Sequence, residues 1–232
     1  MKKLLFSFAV IIAGMNQLAA QDVVFKMDPA VDTTESKSGP NLKNYWHPFM
    51  SYGFCIDPGS AGATVKQPHL DQFSFGYRYK NRLAEHLAVG LDISYNVNDY
   101  SLKQNASKTL PDTVQYKKQR MIFYNAQVGA YVRINFGKRG NTLGNYLDLG
   151  GYGDYVMSHV QFTKFNLPDG SIVRARRTQL DYYQKINYGL LARIGFKKLV
   201  IYGQYRISDM FYPSLKMAEL PRIQAGIQFV LR

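Results

Sequence analysis

Residues 87–97 read LAVGLDISYNV. Leu87, Val89, Leu91, Ile93, Tyr95 and Val97 alternate with Ala88, Gly90, Asp92, Ser94 and Asn96. A strand turns successive side chains to opposite faces, so this segment has one apolar face and one face of small and polar groups. The segment before it keeps the same period. Phe73, Phe75, Tyr77 and Tyr79 alternate with Ser74, Gly76, Arg78 and Lys80. The short stretch 81–86 between the two suits a hairpin.

Six further segments carry the period of two. Trp46, Met50, Tyr52, Phe54 and Ile56 mark a first strand, and Ile122, Tyr124, Ala126, Val128, Ala130, Val132, Ile134 and Phe136 a fourth. Leu147, Leu149, Tyr155 and Met157 mark a fifth, broken up by Gly150, Gly151 and Gly153. Tyr182, Ile186, Tyr188, Leu190, Ala192, Ile194 and Phe196 mark a sixth, and Leu199, Ile201, Tyr205 and Ile207 a seventh. Ile223, Ala225, Ile227, Phe229 and Leu231 mark the eighth. The connections alternate in length. Short turns fall at 81–86, 137–145 and 197–198, and long loops at 57–68, 98–120, 158–180 and 210–220. Short turns at one end and long loops at the other are the pattern of a membrane β-barrel.

The placement of charge separates a membrane barrel from a soluble sheet. The apolar face of these strands is essentially free of charge. The other face carries Arg78, Asp92, Arg133, Asp148, Asp154, Lys185, Arg193, Arg206 and Arg222, interspersed with small residues such as Gly76, Gly90, Gly129, Gly189 and Gly226. Small residues suit the crowded interior of a narrow barrel. Tyr124 and Phe136 sit near the two ends of one strand, about 28 Å apart in height at a 45° tilt. Tyr182 and Phe196 repeat the spacing, as interfacial aromatic girdles would. The expected fold is therefore all-β, an eight-stranded antiparallel up-and-down transmembrane β-barrel. A barrel of that size fills its interior with side chains, so a wide channel is not expected.

The chain begins with Lys2 and Lys3, an apolar run over 4–13, and Ala19-Ala20 before Gln21. That order reads as a secretory signal peptide over 1–20, cleaved after Ala20. Its run is shorter than the roughly 20 apolar residues a spanning helix needs. Residues 21–45 hold Pro29, Gly39 and Pro40 and no sustained period, and read as a periplasmic tail. The barrel is expected over 46–232, with both termini on the periplasmic side of the outer membrane. The single cysteine, Cys55, excludes an internal disulfide. Lys and Arg outnumber Asp and Glu by 29 to 16. In a cytosolic protein such a balance would point to nucleic acid. Behind a secretory leader it points instead to anionic lipid or an acidic protein partner, with no nucleic acid.

On these segments the chain resembles the small outer-membrane β-barrel proteins of Gram-negative bacteria, including OmpA/OmpX-like barrels and the PorT-like barrels linked to type IX secretion. The resemblance covers about 46–232 and rests on the leader, the eight alternating strands and the final strand PRIQAGIQFVLR (221–232). Within it Phe229 resembles the terminal aromatic read by barrel-insertion machinery. Arg232 stands where many members end in Phe. What the resemblance implies is an outer-membrane location and an architecture.

Two sets of residues are candidates for function. Arg78, Asp92, Arg133, Asp148, Asp154, Arg193, Arg206 and Arg222 read as a charge network inside the lumen. Arg174, Arg176 and Arg177, with Lys117, Lys118 and Arg120 on the neighbouring loop, read as a basic outer rim joined by Lys103 and Lys108. Arginine pairs phosphate bidentately, so the rim suits lipopolysaccharide or an acidic partner. The turn signal NLPDGS (166–171) makes a hairpin of this region, continuing the fifth and sixth strands. Ser158 and His159 are neighbours in a strand and would face opposite ways, which spoils a catalytic pair. Four scattered histidines and one cysteine give no metal-ligand spacing, and no cofactor is implied. The expected function is that of a non-catalytic outer-membrane barrel, a structural or secretion-accessory component that binds outer-membrane lipid, lipopolysaccharide or a secretion-machinery protein. The alternatives are a lipid A-modifying enzyme and a small-solute porin.

Overall fold

The computed structural model describes residues 39–56, 65–66, 72–106, 108–137, 142–167, 169–178 and 180–231. The leader and its cleavage point, tail residues 21–38, most of the 57–68 loop, His69 and Arg232 lie outside the described residues.

Nine strands lie among the described residues: β1 (Asn44–Ile56), β2 (Gln72–Arg82), β3 (Leu87–Leu102), β4 (Lys118–Phe136), β5 (Asn145–Asn166), β6 (Ile172–Thr178), β7 (Ile186–Phe196), β8 (Leu199–Arg206) and β9 (Ile223–Val230). Eight of them form a closed antiparallel ring in which β5 is followed by β7, and β1 closes on β9 from Phe49↔Val230 to Ile56↔Ile223. The eight-stranded up-and-down barrel is therefore the fold. β6 stands outside the ring, paired with the far end of β5.

Which face points where follows from the period of two, and it is inverted relative to a soluble protein. Ile93 is 59 % exposed and Leu190 56 %, whereas Arg78 and Asp148 between them in the ring are 0 % exposed. The apolar face of β1–β5 and β7–β9 forms the outer wall, and the polar face lines a filled lumen. The lumen is narrow because tyrosines on one strand lie over glycines on the next. Tyr131 covers Gly90 and Tyr146 covers Gly195, where an added Cβ would fall 2.3 Å and 2.2 Å from the ring. Tyr152 covers Gly189 in the same way. The missing side chains make room for the rings, and the rings fill the bore.

At the long-loop end the lumen is stoppered by an apolar cluster. Tyr100, Leu102, Met121, Phe123 and Val156 from the strands meet Val65, Leu110, Met210, Phe211 and Leu220 from the loops. The β8–β9 loop, with a one-turn 3-10 helix over Pro213–Leu215, is tied down by Arg206. Its Nη1 lies 2.9 Å from Glu219, and its guanidinium donates to the carbonyls of Ser208 and Leu220.

The strands depart from the expected boundaries in three places. β1 starts at Asn44, and the chain before it is fastened to β2. Lys80 Nζ donates to the carbonyls of Pro40 and Leu42 at 2.7 and 3.0 Å, and Arg82 Nη1 to that of Asn41 at 2.7 Å. β3, β4 and β5 run on through parts of the expected 98–120 and 158–180 loops, because they pair with one another there, as in Leu102↔Gln119 and Lys118↔Lys164. The hairpin at 158–178 forms, but its returning arm does not flow into the next barrel strand. Tyr182 lies between β6 and β7, half-buried against Phe211 and His159, and so takes no part in an outer girdle.

Putting a branched side chain at Gly90 tests this packing. Gly90→Val should push against the Tyr131 ring and the Tyr79 carbonyl and destabilise the barrel by roughly 1–3 kcal/mol. The folded band on a heat-modifiability gel should then disappear at a clearly lower temperature, and an unchanged midpoint would show that the ring is not seated there.

Candidate functional site

The lumenal candidates assemble as a layer across the middle of the bore. Antiparallel register places Arg78 opposite Asp92, and Asp148 between Arg133 and Arg193 on its two neighbouring strands. Arg133 Nε and Nη2 donate to the two oxygens of Asp148 at 2.6 and 2.8 Å, a bidentate pair. Arg193 Nη2 donates to Asp92 Oδ2 at 2.7 Å and approaches Asp148 at 3.9 Å. Arg78 reaches Asp92 at 3.7 Å, donates to Gln228 Oε1 at 3.0 Å and lies over the Phe49 ring. The Tyr131 ring sits among all three guanidiniums, at 5.4–5.6 Å from each. Asp154 lies nearer the long-loop end and accepts from Gln127 Nε2 at 2.9 Å.

Two residues expected on this face fall elsewhere. Arg222 is half-exposed at the loop end, where it pairs with Asp209 and donates to the Ile207 carbonyl. It belongs to the loop and not to the network. Lys185 precedes β7 and is exposed. Two residues that the list of lumenal charges lacks are buried there: Lys80, and His47 near the three arginines. Lys80 lies on the polar face of β2 in the same phase as Arg78, so the alternation itself could have found it.

The outer rim is built differently from a simple loop cluster. A bulge at Tyr124/Asn125 shifts the register of β4 against β5, so that Ser158 and not Met157 pairs with Tyr124. One extra residue reverses which side chains face out. Beyond the bulge Ser158 is exposed and His159 is buried against Phe123 and Tyr183, so the two do face opposite ways. The same shift turns Phe162 and Lys164 outward. Register then places Lys118 on β4 beside Lys164 on β5, and Lys164 beside Arg174 on β6. Two residues nearer the belt the next rung is Arg120, Phe162 and Arg176.

Like charges directly opposite on neighbouring strands repel, yet Lys118, Lys164 and Arg174 form no ion pair among the described residues. Over 158–178 the chain has four Lys and Arg and one acid, Asp169 at the hairpin tip. Hydrogen bonds from Ser171 hold its carboxyl below the usual carboxylate range. Other expected rim residues are already engaged. Arg120 Nε donates to Asp99 Oδ1 at 2.9 Å. Lys108 is buried in its own loop, 2.9 Å from Asp112 and over the Tyr116 ring. Lys103, Lys117, Arg176 and Arg177 are exposed, with Arg177 opposite Gln161 in the other phase of the hairpin. Lys164 is the rim cation that sequence reading missed, since only the bulge brings it outward. Among the described residues no group of three His, Cys, Asp or Glu is placed to hold a metal.

No protein-family model matches the chain. No curated protein matches it either. Among solved structures it is similar to Ail, the attachment invasion locus protein of Yersinia pestis, in complex with the heparin analogue sucrose octasulfate. The identity is 13 %, the match covers 80 % of this chain and 94 % of that one, and the TM-score is 0.29. So distant a likeness carries no function across.

Breaking one partner of the closed pair tests the lumenal layer. Asp148→Asn should cost roughly 3–5 kcal/mol, because the Arg133 guanidinium is left buried without its counter-charge. Asp148→Leu with Arg133→Leu should recover most of that loss in urea unfolding of the refolded barrel. Equal losses in the single and double variants would mean that the pair is not what is being measured.

Proposed function

We propose that the chain is an outer-membrane β-barrel that acts by binding, and that its ligand is the phosphate layer of lipopolysaccharide. The apolar outer wall supports the location. A closed ring satisfies its backbone internally, as lipid requires, and side chains such as Leu91, Ile93, Val128 and Leu190 are more than half exposed on it. The start of β1, the end of β9 and the short turns share one end of the barrel, which in this reading faces the periplasm.

The observation that carries the ligand is the rung Lys118–Lys164–Arg174. On β4 the outward positions run Phe136, Ile134, Val132, Ala130, Val128, Ala126, Tyr124 and Ile122, and the next two are Arg120 and Lys118. The cations thus begin where the apolar wall stops, at the height where lipid phosphates lie. Three mutually repelling cations on adjacent strands are relieved by an anion that bridges them.

The same reading makes the protein non-catalytic and non-conducting. Ser158 and His159 lie on opposite faces of β5, and the lumen is filled by side chains below an apolar stopper. Neither arrangement supplies a nucleophile with its base or a wet path.

Replacing Lys118, Lys164 and Arg174 together by Ala should weaken binding of purified barrel to lipopolysaccharide by at least about tenfold, a loss on the scale of charge-assisted hydrogen bonds. The wild-type affinity should fall with salt and with enzymatic removal of the lipid phosphates. Equal affinity of variant and wild type, or indifference to dephosphorylation, would contradict the proposal.

A further inference from the structure

β6 has a partner on one side only. Antiparallel pairing joins it to the far end of β5, from Val160↔Thr178 to Asn166↔Ile172. Among the described residues no other strand runs along its second side, so it ends the sheet that β3, β4 and β5 carry past the barrel. An open strand edge is a row of unpaired N–H and C=O groups, ready to take another extended chain.

Register decides which residues supply those groups. At the mouth of the hairpin Leu167 N–H donates to the Ser171 carbonyl at 2.9 Å. Along an antiparallel ladder, pairs that exchange hydrogen bonds alternate with pairs that do not. The bonded pairs beyond Leu167 and Ser171 are thus Phe165↔Val173, Thr163↔Ala175 and Gln161↔Arg177. Ile172, Arg174, Arg176 and Thr178 therefore turn their backbone groups to the open side, and all four are exposed.

The side chains select what can lie there. Arg174 and Arg176 stand on one face of β6, and Val173 and Ala175 are half-buried on the other. A second copy pairing through β6 would set arginine against arginine in the central registers, which is repulsive. A strand with acids at alternate positions places a carboxylate opposite Arg174 and another opposite Arg176. Its intervening side chains then extend the Val173 and Ala175 face. We infer that the open edge of β6 takes up an extended acidic segment of another protein as an added strand, with Asp or Glu at every second position and apolar residues between. This surface is distinct from the lipopolysaccharide rung. The rung offers side chains on the face of the sheet, whereas the edge offers backbone.

The test is fluorescence anisotropy of a short labelled peptide of alternating Glu and Val, titrated with refolded barrel in detergent. It should bind at least about tenfold more tightly than an isomer with the same residues in two blocks. An added strand turns only every second amide to its neighbour. Of two peptides N-methylated on the Glu amides or on the Val amides, one should therefore keep its affinity and the other lose it. Ile172→Pro removes an edge N–H and leaves the charge and the β5 ladder intact. It should weaken the peptide several-fold and leave lipopolysaccharide affinity unchanged, so the edge and the rung stand or fall separately. Equal affinity for the alternating and blocked peptides, or for the two methylated ones, overturns the inference. So does an undiminished affinity in folded Ile172→Pro, or dimerisation through β6 in place of peptide binding. Should that variant not refold, the methylated peptides decide on the wild-type barrel.

Discussion

Closure of the ring between β1 and β9 is the contact on which the rest of the structure depends. From Phe49↔Val230 to Ile56↔Ile223 the first and last ring strands pair, and no edge is left on the eight-membered ring. Only a closed sheet can present an apolar wall on its whole outer surface, because its backbone groups are all satisfied within it. Closure also fixes the bore. Side chains on the inner face must fill a narrow cylinder, and they do so as tyrosines set over glycines around a layer of arginines and aspartates. The charges sit inside because the wall outside takes none.

A filled bore leaves the rim and the outer surface as the open faces of the barrel. The apolar stopper made by Phe123, Leu110, Phe211, Leu220 and their neighbours closes the loop end, and the proposed binding role therefore rests on the exterior. β3, β4 and β5 run past the barrel proper, and β6 adds a further strand to β5 there. That extension aligns Lys118, Lys164 and Arg174 on one rung. The rim is therefore a sheet surface with fixed spacings, and a cation's place on it is set by strand register.

Much of this was legible in the chain. In residues 87–97 the alternation assigned every side chain to a face, and the structure keeps each assignment, with Leu91 out and Asp92 in. Arg78, Arg133, Asp148 and Arg193 followed from the same period. What escaped was whatever breaks the period or lies beyond it. The bulge at Tyr124/Asn125 reverses the phase of β5, and no residue type at that point announces an extra residue, so Lys164 could not be placed outward. Tyr182 continued the apolar spacing of the sixth segment, but the chain leaves the sheet before Ile186, and Tyr182 packs among loop residues instead. Lys185 and Arg222 stood in phase with lumenal positions yet precede the paired residues of their strands. The stopper was invisible because its members are scattered over many loops and meet only in space.

The central claim is that the apolar outer wall lies in lipid, and the protein's single tryptophan reports on it. Trp46 is on the outer face at the short-turn end of β1, 61 % exposed and tilted against the Tyr79 ring, with the ring centroids 4.5 Å apart. The measurement is its fluorescence after refolding into bilayers with bromines placed at graded depths along the acyl chains. A blue-shifted emission, quenched most by bromines near the headgroups, is the predicted result. Emission typical of water-exposed indole, unquenched at every depth, would contradict the account.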